Sequence, residues 1–118
     1  MTFLIVSLGT GKGTWAHVLK LANSEEWEKI FFVCDPHFSG KFKTDKLHEF
    51  VEIDIKKSLK ELSEQIRKKL DGKIADTEVA LNLISGTGKE HMAILSAVLK
   101  LGLGARLVAL TKEGIKEI

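Results

Sequence analysis

Cysteine occurs once in this chain, at Cys34, so no disulfide can join two of its parts. Nothing near it has metal-ligand spacing, and Cys34 therefore reads as a buried thiol rather than a ligand or nucleophile. Proline also occurs once, and Pro36 is expected to stop the strand it follows. A large excess of one charge is missing too. With 18 Lys and Arg against 16 Asp and Glu, the net charge is only +2, which argues against a strongly basic nucleic-acid-binding surface. Direct contact with DNA is not expected. No apolar run is long enough for a membrane span, and the N-terminal one has no basic stretch ahead of it, unlike a signal peptide. The expectation is a cytoplasmic protein with no membrane partner. The four histidines, His17, His37, His48 and His91, show no metal spacing, and neither a metal nor a cofactor is expected. Asn, Gln, Cys and Met are scarce while Lys and Glu are abundant, a bias that fits a thermophile.

What is present is a pattern of strands and helices in a chain of 118 residues, the length of one domain, 1–118. Phe3 to Leu8 barely alternates and reads as a strand buried on both faces. A helix from Thr14 to Ala22 follows, with Trp15, Val18, Leu19 and Ala22 on one face. Asn23-Ser24 is expected to end it, with Ser24 capping a short turn through Trp27. A second strand covers Lys29 to Asp35. The basic stretch Phe38 to Lys46 reads as a loop, and Leu47 to Ile55 as an edge strand with Glu52 and Asp54 alternating outward. Lys56 to Leu70 is a helix with the stripe Leu59, Leu62, Ile66, Leu70, ended by Asp71-Gly72. Thr77 to Ile84 is the fourth strand, Glu90 to Leu101 the third helix, and Arg106 to Thr111 the fifth strand. A turn leads into a tail, Ile115 to Ile118, that could add a hairpin strand. The order predicts an α/β fold, doubly wound, with a mostly parallel sheet of five to six strands, helices on both faces and a C-terminal hairpin.

The third helix is apolar around nearly its whole circumference, from Met92 to Leu101. Such a helix must be buried on more than one side. One side covers the sheet, and the other is expected to meet a second copy, giving a homodimer.

Two polar turns carry the functional signal. Each follows a strand and precedes a helix: Ser7-Leu8-Gly9-Thr10-Gly11-Lys12-Gly13-Thr14, and Ser85-Gly86-Thr87-Gly88-Lys89-Glu90. A helix start presents unbonded N–H groups and favours anions. Hydroxyls and a lysine in each turn add to that preference. In a sheet ordered 3-2-1-4-5, the first and fourth strands are neighbours at the switch point, where ligands bind outside the carboxyl ends. The two turns would then share one crevice, with His91 close to Lys89. Trp15, next to the first turn, could stack on a base, but core packing is the stronger expectation. Lys56-Lys57 and Arg67-Lys68-Lys69 read as solvated helix face, and His17 as helix surface.

Neither turn is a P-loop, since Val6 and Leu83 stand where its first glycine belongs and Gly13 and Glu90 replace its Ser or Thr. A dinucleotide fingerprint fits better, as Gly9-x-Gly11-x-x-Thr14 with Asp35 about twenty residues on, although Thr14 replaces the third glycine.

The stretch Asn82-Leu-Ile-Ser-Gly-Thr-Gly-Lys-Glu-His-Met-Ala-Ile-Leu-Ser-Ala97, with Gly104 to Ile118, resembles the CRISPR-associated Rossmann-fold (CARF) family. Ser85-Gly86-Thr87-Gly88-Lys89 is an inexact version of that family's Thr/Ser-Gly-Gly-Thr-Lys-like turn, with Gly and Thr transposed. The first turn lies where the family has its other ligand loop. The resemblance implies a Rossmann-like domain that binds a cyclic oligoadenylate, the tetra-adenylate being the expected ring, across the two-fold axis of a homodimer in antiviral defence. It assigns ligand contacts to the two turns, Gly9, Thr10, Gly11, Lys12, Thr14, Ser85, Gly86, Thr87 and Gly88, and His91, placed beside Lys89 at the helix start, is the further expected contact. Stand-alone relatives include ring nucleases, which cleave the messenger without metal. For such cleavage the resemblance points to Lys89 as electrostatic stabiliser and to Ser7 as its partner on the phosphate or ribose. It leaves open whether this chain cleaves or only binds. The competing expectations are a mononucleotide- or dinucleotide-binding domain with Asp35 on the ribose, and an interaction module whose turns bind nothing.

Overall fold

The computed structural model of the chain describes residues 2–10 and 12–118, with Lys12 described through its backbone. Strand β1 (Phe3–Leu8) leads through a single 3-10 turn (Lys12–Thr14) into helix α1 (Trp15–Ser24). Then follow β2 (Lys29–Cys34), the one-turn α2 (Pro36–Ser39), β3 (His48–Glu52), α3 (Leu59–Leu70), β4 (Glu78–Asn82), α4 (Gly88–Lys100), β5 (Gly104–Thr111) and β6 (Gly114–Glu117). The strands form one sheet in the order β3-β2-β1-β4-β5-β6. All neighbours are parallel except β5 and β6, which close a C-terminal hairpin. This is the Rossmann-like α/β arrangement that the strand and helix order predicts, with the hairpin included.

Alternation along the central strands divides the core in two. On one face Ile5, Phe31, Val33, Val79 and Leu81 meet α3 and α4. On the other, Leu4, Val6, Leu8, Ile30, Phe32 and Ala80 meet α1 and the buried ring of Phe42. Each such large side chain contributes about 1.5–3 kcal/mol on burial. The residues from 40 to 47 are thus a strap held over β2 by Phe42, whose ring lies 4.8 Å from that of Phe32.

Several boundaries differ from expectation, each for a local reason. Pro36 does end the pairing of β2, but it also starts α2, because Asp35 caps it by accepting from the His37 N–H at 2.9 Å. Strand β3 stops at Glu52: Asp54 takes the Lys56 N–H and ends the extended run in a turn. Helix α3 starts only at Leu59, since Ser58 and Glu61 form a reciprocal capping box. Helix α1 runs on through Asn23 and Ser24, whose hydroxyl bonds the carbonyl of Lys20 instead of capping a new turn. Its core face is Val18, Leu21 and Ala22, and Leu19 is exposed. His17 is not simply on the surface, because its Nε2 lies 3.3 Å from Asn82 Nδ2.

Candidate functional site

The central pairing of β1 with β4 decides where the two polar turns go. Leu4, Ile5 and Val6 align with Ala80, Leu81 and Asn82, so both strands end at the same edge of the sheet. Asn82 extends the ladder past the last β4–β5 pair. Its buried amide donates to the carbonyl of Val108 at 2.9 Å and accepts from the Ile84 N–H at 3.3 Å. The chain turns immediately afterwards, through Ser85 and Gly86, into α4.

The turns touch. The Gly9 N–H donates to Ser85 Oγ at 2.9 Å across 76 residues of sequence. A Cβ on Gly9 would collide with the backbone of Gly86, 2.6 Å from its nitrogen. Gly86 has φ +95° and is crowded as well: a Cβ there would strike the Glu90 carboxylate and lie 2.5 Å from Ser7 Oγ. Both positions therefore require glycine, one for closeness and one for closeness and backbone shape. Trp15 fixes the other side of the first turn. Its indole N–H donates to the Gly9 carbonyl at 2.9 Å, and its ring meets Phe38 and Phe42 edge-on. Trp15 is thus a packing residue with a polar handle.

The structure brings most of the residues predicted for the site to one crest, in three layers. Innermost are Ser7 and Ser85, each 1% exposed. Ser85 Oγ holds Gly9, whereas Ser7 Oγ has no hydrogen-bond partner among the described residues. His91 sits just above, its Nε2 donating to the Ser85 carbonyl at 2.7 Å. Outside them is a cavity of about 330 Å³ with Thr10, Thr14, Ile55, Ile84, Thr87 and Glu90 on its wall. Outermost, Lys89 donates from Nζ to the Ile55 carbonyl at 3.1 Å. Gly11 and the Lys12 side chain lie outside the described residues.

Helix α4 satisfies part of its own N-terminus. Thr87 and Glu90 form a capping box: Glu90 Oε2 accepts from the Thr87 N–H at 2.9 Å, and Thr87 Oγ1 accepts from the Glu90 N–H at 3.4 Å. The first-turn donors that no described group takes are the N–H groups of Gly88 and Lys89. Sequence reasoning passed over Glu90 as a site residue, although Thr-x-x-Glu ahead of an apolar run is a legible capping signal. It also passed over Ile55 and Ile84, because an apolar residue in a loop carries no chemical flag.

Asp35 lies at the same edge of the sheet but is engaged as the α2 cap. Cys34 beside it is buried. Desolvation, with Glu52, Asp35 and Glu90 adding negative charge, pushes its thiol up to about 12. Larger hollows of about 650 and 450 Å³ lie under the strap and beside Trp27, and neither is lined by a residue of the two turns. Among the described residues, no helix is long and apolar enough to cross a membrane. No protein-family model matches the chain, and no curated protein matches it in sequence.

Proposed function

We propose that this chain is a CARF-like domain that binds a cyclic oligoadenylate as a homodimer. The observation that carries the reading is the contact of the two Gly-Thr-Gly-Lys turns at the β1–β4 switch point, with a cavity between their hydroxyls. A strand-to-helix turn with unbonded N–H groups at Gly88 and Lys89 is suited to one phosphate of such a ring. Lys89 would exchange the carbonyl of Ile55, a neutral partner at the surface, for that phosphate.

The dimer completes the site. Met92, Leu95 and Leu99 recur along one side of α4 and are 62%, 39% and 63% exposed, while Ala93, Ile94, Ala97 and Val98 are buried against the sheet. Leu107 and Ile118, exposed on the neighbouring hairpin, extend the apolar area. A two-fold axis along this face would place two crests side by side, and a symmetric ring needs a symmetric pair of them.

Cleavage, if the site performs it, follows from positioning. The ribose 2′-oxygen attacks the adjacent phosphorus as the bond to the 5′-oxygen breaks. The 2′ proton leaves to solvent, the 5′-oxygen gains one, and a 2′,3′-cyclic phosphate remains. Lys89 would stabilise the added charge on the phosphoryl oxygens. Ser7, buried beneath Gly86, would act on that phosphate only through the turn it supports.

The test is titration with cyclic tetra-adenylate, read by thermal unfolding and by product analysis. Saturating ligand raises the melting temperature by linkage. Lys89→Ala weakens binding by about 1.5–3 kcal/mol, the value of a hydrogen bond to a charged group. An unchanged melting temperature at large excess would end this reading.

A further inference from the structure

Among the described side chains, none on the wall of the cavity between the turns carries the positive charge that favours a phosphate. Among the described side chains on its wall, Glu90 is the only charged one, and it is an acid. Lys89 is turned away to the Ile55 carbonyl. Ile55 and Ile84 supply apolar surface, and Thr10, Thr14 and Thr87 add hydroxyls. A volume of about 330 Å³ is at the small end of ligand sites, the size of a nucleoside rather than of a bare anion. Beneath that wall, at Gly86, Ser7 Oγ is 1% exposed and has no hydrogen-bond partner among the described residues, and the Glu90 carboxylate and His91 Nε2 approach the same glycine.

We infer that this cavity takes a purine base and that Glu90 reads its exocyclic amine. The inference rests on the nucleotide reading above for what approaches the crest, and adds which part of it enters. A carboxylate has only acceptor oxygens, and Glu90 Oε2 is already committed to the Thr87 N–H. Its other oxygen is left to accept from a donor on the ligand. Adenine offers an N–H₂ group there. Hypoxanthine presents a carbonyl oxygen at the same position, which a carboxylate repels. Aliphatic side chains suit the faces of the ring, and the phosphates stay outside with Gly88, Lys89 and the solvent. Selection of this kind, by an acceptor that the wrong base leaves unpaired, discriminates more sharply than shape does.

The experiment compares cyclic tetra-adenylate with its tetra-inosine counterpart on the full chain and on Glu90→Gln. Glutamine preserves the capping box, so the variant folds. The adenine ring should bind the native chain about tenfold to a hundredfold more tightly than the inosine ring. In Glu90→Gln that ratio should collapse, because the amide can donate to the hypoxanthine oxygen. Equal binding of the two rings to the native chain overturns the inference and leaves the wider reading standing. A parallel arm needs no ring. Adenosine at millimolar concentration should shift the methyl resonances of Ile55 and Ile84, and inosine should not. If the rings fail to bind while adenosine alone shifts these methyls, the cyclic-messenger reading falls and amine selection stands. If neither nucleoside shifts them, or a 2′-deoxy nucleoside loses the effect while inosine keeps it, the cavity does not read a base amine.

Discussion

At the scale of single residues, Ser85 and Cys34 show how burial assigns roles. Ser85 looks like one more hydroxyl on a ligand loop, yet its oxygen is spent on holding Gly9. Ser85→Ala leaves the Gly9 N–H buried without a partner and should cost about 1–3 kcal/mol. Thermal unfolding should show this as a drop of several degrees, and a variant as stable as the native chain would remove Ser85 from the scaffold. Cys34 gives a pH signature. Its thiol ionises near 9.0 when unperturbed and near 12 in the folded chain. Between those values the folded protein holds a proton that the unfolded chain has released. The thiol's contribution is therefore complete below pH 9 and is lost as pH rises toward 12. Denaturant unfolding from pH 8 upward should show native stability falling relative to Cys34→Ala, and parallel curves would contradict the assignment. The same burial makes Cys34 inert to thiol reagents at pH 8 until the chain unfolds.

At the scale of elements, the two long crossover helices start the same way, with a Ser or Thr cap answered by a Glu three residues on. Thr87→Ala should destabilise the chain by about 0.5–2 kcal/mol. It should also release Glu90 from the cavity wall, so a nucleotide competent to bind the native chain should bind this variant more weakly. Preserved affinity with lowered stability would mean that the cap is structural alone. The elements themselves were largely legible in the sequence. Short apolar runs bounded by polar turns located the central strands, alternation located β3, and spacing at 3.6 residues located the three longer helices, with the hairpin strand left as a possibility. What escaped was set by partners distant in sequence. Phe42 lies in a run of basic and small residues, and the packed rings of Phe32 and Trp15 make it core. Leu21 rather than Leu19 faces the sheet because the rotation of α1 is fixed by Trp15, whose ring and N–H both have tertiary partners. For the candidate site, the glycines and hydroxyls announced two turns, but the capping engagement of Glu90 and the inward use of Ser85 depend on the contact between them.

At the scale of the whole molecule, the uncovered side of α4 is the feature that asks for a partner. Leu99→Glu places a charge on that face at the far end of α4, about three helical turns from the crest, and so spares the crest's fold. Light scattering should give a dimer for the native chain and a monomer for the variant, and a native monomer at high concentration would refute the proposed assembly. The β1–β4 contact carries one further consequence, for the order of folding. Its hydrogen bond between residues 9 and 85 closes most of the chain into a loop, so the crest cannot exist until the fourth strand has docked. The Gly9 amide should accordingly exchange its hydrogen for deuterium as slowly as the central strands do, acting as a clock for complete assembly rather than for local fraying.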